Sequence, residues 1–257
     1  MSDILEELSA ARRADAMEAE KAVPFSELVR RIGQMPATRD FRAAFRGHGR
    51  RILAELKKAS PSEGLIRPDF HPVELARELV DAGAAALSVL CEPYRFLGSR
   101  AYLSAVRGAV DVPLLCKDFI TTSYQVAAAR TMGADAILLI AAVLPDAQLR
   151  ELRNLAHEFG LAALVETHTA EEIDRAVDLG CEVIGVNCRD LRTFHTDPSI
   201  SAELIGRIPS DRTRIAESGI RTADDMARLQ AAGADGFLIG TTLMRAERPA
   251  AKLRELL

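Results

Sequence analysis

No two of the four cysteines, Cys91, Cys116, Cys181 and Cys188, stand in a Cys-x-x-Cys spacing, and all but Cys181 fall in apolar, strand-like runs. That argues against a zinc site or a disulfide framework and fits a reduced, cytoplasmic setting. An excess of one charge is also missing. The 33 basic and 37 acidic residues, net -4, are mixed along the chain, so no field suits nucleic acid or an anionic membrane surface. A small anion is still compatible, because a single phosphate is bound by local backbone amides rather than by overall charge. Long apolar runs are absent: the longest, Ala136 to Leu144, is far too short to span a bilayer. Met1 to Lys21 is rich in Glu and Arg without an apolar stretch, so neither a targeting segment nor an anchor is expected. His48, His71, His157, His168 and His195 sit at unrelated spacings, and the sequence predicts no metal site.

What is present is ample material for a core. A chain of 257 residues with 48% apolar content fits one domain over 1–257 of the size α/β barrels reach. Residues 1–45 read as a helical extension. Ile4, Leu5 and Leu8 make one apolar stripe, Phe25, Leu28, Val29 and Ile32 a second, Gly33 offers a stop, and Phe41 with Phe45 anchors a third short piece. Over 50–257, short apolar strands alternate with amphipathic helices, the pattern of a parallel sheet covered by helices. Eight strands are predicted: Ile52 to Lys57, Ala86 to Cys91, Pro113 to Lys117, Ala136 to Ala141, Ala162 to Glu166, Val183 to Asn187, Arg214 to Glu217 and Gly236 to Ile239. Eight points to a closed (β/α)8 TIM barrel. An open doubly wound sheet is the competing fold, but it needs a topological switch and usually has fewer strands. Gly83, Gly133, Gly180 and Gly233 recur just before strands, at intervals of two strand-helix units, in the place of a left-handed helix cap. Pro72 and Pro145 suit first-turn helix positions, while Thr169 with Glu172 and Thr222 with Asp225 suit capping boxes.

The first strand, Ile52 to Lys57, is the informative one. A period of two puts Leu53, Glu55 and Lys57 on one face and the apolar Ile52, Ala54 and Leu56 on the other, and Ser60-Pro61-Ser62 stops the run. An acid and a base side by side at the carboxyl end of a buried strand form a structural ion pair or an active site. Active sites of such barrels are built from the carboxyl ends of the strands. Those ends here carry Glu55 and Lys57, Cys91-Glu92 with Phe96 in the loop, Lys117-Asp118, Glu166 with His168, Asn187 with Arg189-Asp190, Glu217-Ser218-Gly219 and Gly240-Thr241. Lys117, set among apolar residues, has its charge disfavoured by desolvation or held by Glu55, Glu166 or Glu217; either suits acid-base catalysis, and an amine nucleophile is an alternative. Ser218-Gly219 and Gly240-Thr241, at the seventh and eighth predicted strand ends, match the usual barrel phosphate site. Phe96 is an aromatic wall or a core residue.

These residues resemble one family, the indole-3-glycerol phosphate synthases. The matching motifs are Ala54-Glu55-Leu56-Lys57-Lys58-Ala59-Ser60-Pro61-Ser62, Phe96-Leu-Gly-Ser99, Lys117-Asp-Phe-Ile120, Leu164-Val-Glu166, Asn187-Cys-Arg-Asp-Leu191, Ala216-Glu-Ser-Gly-Ile220 and Phe237-Leu-Ile-Gly240. They run in order from residue 40 to 245. The resemblance implies a carboxy-lyase of tryptophan biosynthesis that needs no cofactor or metal. It closes the ring of 1-(2-carboxyphenylamino)-1-deoxyribulose 5-phosphate and releases carbon dioxide and water. It further implies that Lys117 protonates the ketone, that Glu166 and Lys57 handle protons, and that Glu55 and Glu217 hold the lysines. Asn187 and Arg189 would orient substrate oxygens, Lys57, Ser60, Ser218, Gly219, Gly240 and Thr241 would lie on or near the phosphate, and Phe96 against the ring. The partner implied is a small phosphorylated substrate, acted on by a monomer or at most a weak dimer. The chain departs from the family's usual wording at Cys91, Tyr94-Arg95, Cys188 and Thr241. A Schiff-base aldolase with Lys117 as nucleophile, and a catalytically silent barrel, are the alternatives.

Overall fold

The structure, a computed structural model, describes residues 4–47, 49–189 and 198–257; His48, Asp190, Leu191 and His195 lie outside the described residues. In chain order it runs α1 (Ile4–Ala22), α2 (Phe25–Ile32), a 3-10 turn (Ala43–Phe45), β1 (Ile52–Leu56), β2 (Ala59–Ser60), β3 (Gly64–Leu65), α3 (Pro72–Asp81), β4 (Ala86–Leu90) and α4 (Arg100–Arg107). It continues through β5 (Leu114–Lys117), α5 (Ser123–Thr131), β6 (Ala136–Ile140), α6 (Asp146–Glu158), β7 (Ala162–Thr167), α7 (Ala170–Asp178), β8 (Val183–Asn187) and α8 (Pro198–Arg207). The last elements are β9 (Thr213–Glu217), α9 (Ala223–Ala231), β10 (Gly236–Ile239), α10 (Thr241–Arg245) and α11 (Pro249–Leu256). Eight strands close in the order β1-β10-β9-β8-β7-β6-β5-β4, every pair parallel. This is a TIM barrel preceded by helices.

Each barrel strand lies within one residue of its predicted bounds. Cys91 and Ala141, predicted as strand residues, still donate to the carbonyls of Lys117 and Glu166, but the chain turns there and the ladder stops. The period of two separates two apolar layers. Ile52, Ala54 and Leu56 pack outward under the helices, while Leu53, Leu115, Leu164 and Ile215 fill the inside together with Phe41 and Phe45. Gly83, Gly133, Gly180 and Gly233 have φ of 107°, 92°, 74° and 108°, the left-handed cap that lets each helix turn straight into its strand.

Some local expectations are corrected. Pro145 is the N-cap of α6 rather than a first-turn residue. Thr169 caps α7, but the Glu172 carboxylate bonds the amide of His168 instead of that of Thr169, so the box is half made. A complete box at Thr122 and Gln125 was not anticipated, because Gln125 is buried and also bonds the Phe119 carbonyl. Ser60-Pro61-Ser62 does not simply stop β1: Ala59–Ser60 folds back on Gly64–Leu65 as a two-residue antiparallel pair. Gly33 ends α2 with φ of -62°, so the left-handed conformation is not used there.

The extension is fastened to the barrel by charge. Arg12 of α1 grips Asp118 with two hydrogen bonds, 2.8 Å and 2.6 Å, and both side chains are almost fully buried. Burial disfavours the guanidinium charge, but Asp118 and Asp15 outweigh it and raise the Arg12 pKa. Removing one member of such a pair leaves the other charge buried and alone. Asp118→Ala is therefore expected to lower unfolding free energy by about 3 to 5 kcal/mol in urea titration, and Arg12→Met combined with Asp118→Leu to recover most of that loss.

Candidate active site

The inward positions of the strands turn from apolar to charged as they reach the carboxyl-terminal mouth. Lys57, just past β1, places its ammonium 2.9 Å from Glu55 Oε2. Across the mouth Lys117, the last residue of β5, places Nζ 3.0 Å from Glu166 Oε2 on β7 and 2.8 Å from Glu217 Oε2 on β9. The three carboxylates are buried to within 4%. Burial disfavours the charge on Lys117, but Glu166, Glu217 and Glu55 more than compensate and raise its pKa. Of the two readings left open by the sequence, the lysine held charged by carboxylates is the one realised.

The two acids facing Lys117 are pushed apart. Burial raises both, but Lys117 and His168 overcome it at Glu166 and hold that carboxyl down at about 2. At Glu217 burial dominates, Glu166 adds repulsion, and the carboxyl rises to about 7. Two carboxylates on one ammonium titrate as a pair in well-separated steps. Within that pair the environment favours the charged form of Glu166 and disfavours that of Glu217. Glu55 is lowered, because Lys57 and Lys117 outweigh its burial.

Two glycines make room for these groups. A methyl group on Gly185 would overlap Glu217 Oε1, and one on Gly240 would overlap Glu55 Oε2 and stand 3.1 Å from Lys57 Nζ. Neither need was legible from the motifs, since it is set by a side chain on a neighbouring strand.

At the β9 and β10 ends, Ser218 and Gly219 take consecutive left-handed conformations, φ 64° and 70°. Thr242 donates to the Ile220 carbonyl at 2.6 Å and ties the two ends together. The first turn of α10, opening at Thr241, has amides with no partner inside the helix. Ser218 Oγ donates to Asn187 Oδ1 at 2.7 Å, and the Arg189 amide donates to the same oxygen at 3.0 Å. The Arg189 guanidinium reaches Ser62 Oγ at 3.2 Å, and Ser62 in turn meets Ser60 at 3.4 Å. The small β2-β3 turn brings those serines to the side of the cavity lined by the β9 and β10 ends.

The opposite side is apolar. Phe96 and Phe119 tilt against one another with centroids 6.3 Å apart, beside Leu138, Ile140 and the α1 residues Ile4, Leu5 and Leu8. Glu92, fully buried, accepts the amides of Tyr94, Arg95 and Phe96 at 2.6 Å, 2.8 Å and 2.8 Å, which fixes the loop that carries Phe96. Tyr94 donates to Asp15 at 2.7 Å and Arg95 to Glu7 at 3.0 Å, so this loop is pinned to α1. Glu55, Lys57, Ser60, Phe96, Lys117, Glu166, Asn187, Arg189, Glu217, Ser218, Gly219, Gly240 and Thr241, all singled out from the sequence, line one cavity open to solvent, whereas Cys91 and His168, named at strand ends, do not line it. Phe119 and the α1 residues were missed as site residues, while Glu92, named at its strand end, had been given no role. Phe119 stood next to Lys117 in a quoted motif, and the α1 stripe was visible without its docking place. Among the described residues no group of three His, Cys, Asp or Glu is arranged to hold a metal, and no helix is long and apolar enough to cross a membrane.

The family model for indole-3-glycerol phosphate synthase matches residues 5–256. The chain belongs to the indole-3-glycerol phosphate synthase family. It is 45% identical over 261 aligned residues to the indole-3-glycerol phosphate synthase of Laribacter hongkongensis (strain HLHK9), an alignment covering 100% of this chain and 99% of that protein. With the indole-3-glycerol phosphate synthase of Variovorax paradoxus (strain S110) it shares 42% identity over 265 residues, at 100% and 99% coverage. Among solved structures, thiamine phosphate pyrophosphorylase from Pyrococcus furiosus is 16% identical with a TM-score of 0.62, covering 84% of this chain and 96% of that one. The N-acetylmannosamine-6-phosphate 2-epimerase from Clostridium perfringens is 15% identical at 0.62, covering 81% and 92%. Those two likenesses concern the barrel alone. Within the synthase family's wording, the departures fall in defined places. Cys91 packs in the outer layer with its sulfur 3.7 Å from that of Cys116, the Cys188 thiol donates to the Glu217 and Ser218 carbonyls, and Thr241 keeps the hydroxyl.

The dependence of Glu217 on an empty neighbour can be measured. Gly185→Ala should force Glu217 away from Lys117 and lower kcat by roughly one to two orders of magnitude, with KM changed far less. Steady-state kinetics on the folded variant, checked by circular dichroism, give the comparison; unchanged kcat would mean that Glu217 has another place to go.

Proposed function

We propose that the chain acts as an indole-3-glycerol phosphate synthase on 1-(2-carboxyphenylamino)-1-deoxyribulose 5-phosphate, with the cavity residues named above doing the chemistry. The observation that carries this reading is Lys117, a buried ammonium gripped by Glu166 and Glu217 where the apolar and the phosphate-site halves of one cavity meet. The phosphate is held at Ser60, Ser218, Gly219, Gly240 and Thr241, and the aromatic ring lies against Phe96 and Phe119. Fixing both ends folds the flexible middle of the substrate over Lys117, and binding energy from the remote phosphate supports that folding.

Lys117 donates its proton to the ketone oxygen as the ring carbon bearing the carboxylate bonds to the ketone carbon. Arg189 and Asn187 orient the substrate carboxylate and hydroxyls. The carbon-carboxylate bond then breaks, carbon dioxide leaves, and the electron pair stays in the ring system. In the last step the hydroxyl leaves as water and the adjacent carbon next to nitrogen loses a proton, which completes the indole. Glu166, ionised at neutral pH, suits the base of that step. The Lys57 ammonium, held by Glu55, suits the acid. Glu217 holds Lys117 in place. No residue of a second chain is needed for this constellation, so the proposal includes a monomer, a cytoplasmic setting, and one working unit made of the extension and the barrel.

A Schiff-base aldolase requires an unprotonated amine at Lys117, and the carboxylates around it favour the protonated one. Purified protein, with no added metal or cofactor, is expected to generate indole fluorescence from the carboxyphenylamino substrate. Lys117→Ala and Glu166→Gln should each lower kcat by roughly two to four orders of magnitude with modest changes in KM. Undiminished turnover would remove that residue from the mechanism, and borohydride trapping of substrate on Lys117 would favour the aldolase instead.

A further inference from the structure

His168 continues the inward side of β7 one step above Glu166, and the chemistry so far gives it nothing to do. Its Nε2 lies 3.5 Å from Glu166 Oε1, and its Nδ1 lies 3.4 Å from Glu172 Oε2. Glu172 is itself fixed, because the same oxygen accepts the His168 amide at 2.7 Å. Nε2 is buried and has no hydrogen-bond partner among the described residues. The Glu166 oxygen it faces is the one that Lys117 does not bond, since Lys117 takes Oε2.

We propose that His168 is the positioning residue of the candidate base, an imidazolium clamped between Glu172 and Glu166 that fixes Oε1 of Glu166, the oxygen Lys117 does not bond, beside the substrate. This rests on the reading of Glu166 as a proton-handling group. The charged groups facing the imidazole are Glu166 from β7, Glu172 from α7 and, further off, Glu217 from β9; Lys117 from β5 stands behind Glu166. Burial opposes the imidazolium, and these carboxylates outweigh it and raise the His168 pKa above 6.5. With the ring protonated, both nitrogens are donors and both carboxylates are held. Once the ring loses its proton one nitrogen becomes an acceptor, and one of the two carboxylates is released. The simultaneous hold on both carboxylates is thus complete at low pH and lost as pH rises through the raised His168 value. A merely structural histidine at the start of α7 would show no such dependence.

Two measurements on the full chain test this. In nitrogen-15 histidine spectra, with the His168 signal assigned by its loss in His168→Asn, the midpoint should lie above 6.5 and fall in both Glu172→Gln and Glu166→Gln. A midpoint at or below 6.5, or one unmoved by either substitution, overturns the clamp. In kinetics, Glu172→Gln should shift the alkaline limb of kcat toward lower pH. His168→Asn should lower kcat at pH 6.5 by roughly tenfold, the scale of losing one charge-assisted contact, with KM within about a factor of two. A normal clamp in the spectra with an unmoved kcat profile would overturn the positioning role. The spectra need no turnover, so failure of the synthase reading, seen as absent turnover in the unsubstituted protein, is told apart from failure of the clamp.

Discussion

A single ammonium shared by two buried carboxylates organises the mouth of this barrel. Lys117, Glu166 and Glu217 come from β5, β7 and β9, and Glu55 from β1 belongs to the same set of alternate strands. In an eight-stranded barrel the interior fills in layers of four side chains from alternate strands. Two residues below, those same strands supply Leu53, Leu115, Leu164 and Ile215, all inside the apolar core. The uppermost layer is thus built like the one beneath, with three acids and a base where four hydrocarbons would otherwise stand. Each charge there is tolerable only because another faces it.

That substitution constrains the neighbouring strands. Three carboxylates in a space sized for apolar side chains need vacant positions between them, and Gly185 and Gly240 supply those at Glu217 and Glu55. The three acids are not equally supported by the cations around them. The imbalance settles on Glu217, which is bonded to Lys117 and also faces Glu166, while Glu166 has Lys117 and His168 in support. Two chemically identical side chains on one lysine are thereby pushed in opposite directions from the ordinary carboxylate range.

The sequence disclosed most of this because its signals were local. A period of two in Leu53-Ala54-Glu55-Leu56-Lys57 gave the inward face, and the glycine recurring before strands gave the repeat of strand-helix units. Once eight strands closed into a barrel, the convergence of their ends followed from topology. What stayed hidden depended on contacts between distant segments. Nothing in Arg12 or Asp118 taken separately announces a pair across 106 residues. The stripe of Leu5 and Leu8 says that α1 packs somewhere, without saying that it packs over the mouth. Glu172 looked like half of a capping box, and its carboxylate instead meets both the amide and the ring of His168, one residue earlier.

The placement of α1 gives the extension a physical purpose. Its apolar residues roof the side of the cavity that holds Phe96 and Phe119, and Arg12, Asp15 and Glu7 lock it to the loops bearing those rings. Covering that side removes water next to the charged layer and lowers the local dielectric, so each interaction between Lys117, Glu166 and Glu217 is stronger than at an open surface. The side of the β9 and β10 ends carries hydrogen-bonding groups instead, among them Ser60, Ser62, Ser218 and Thr241. One wall is thus closed by a helix and the other by loops and serines, so the charged layer between them is flanked by hydrocarbon on one side and by hydrogen-bonding groups on the other.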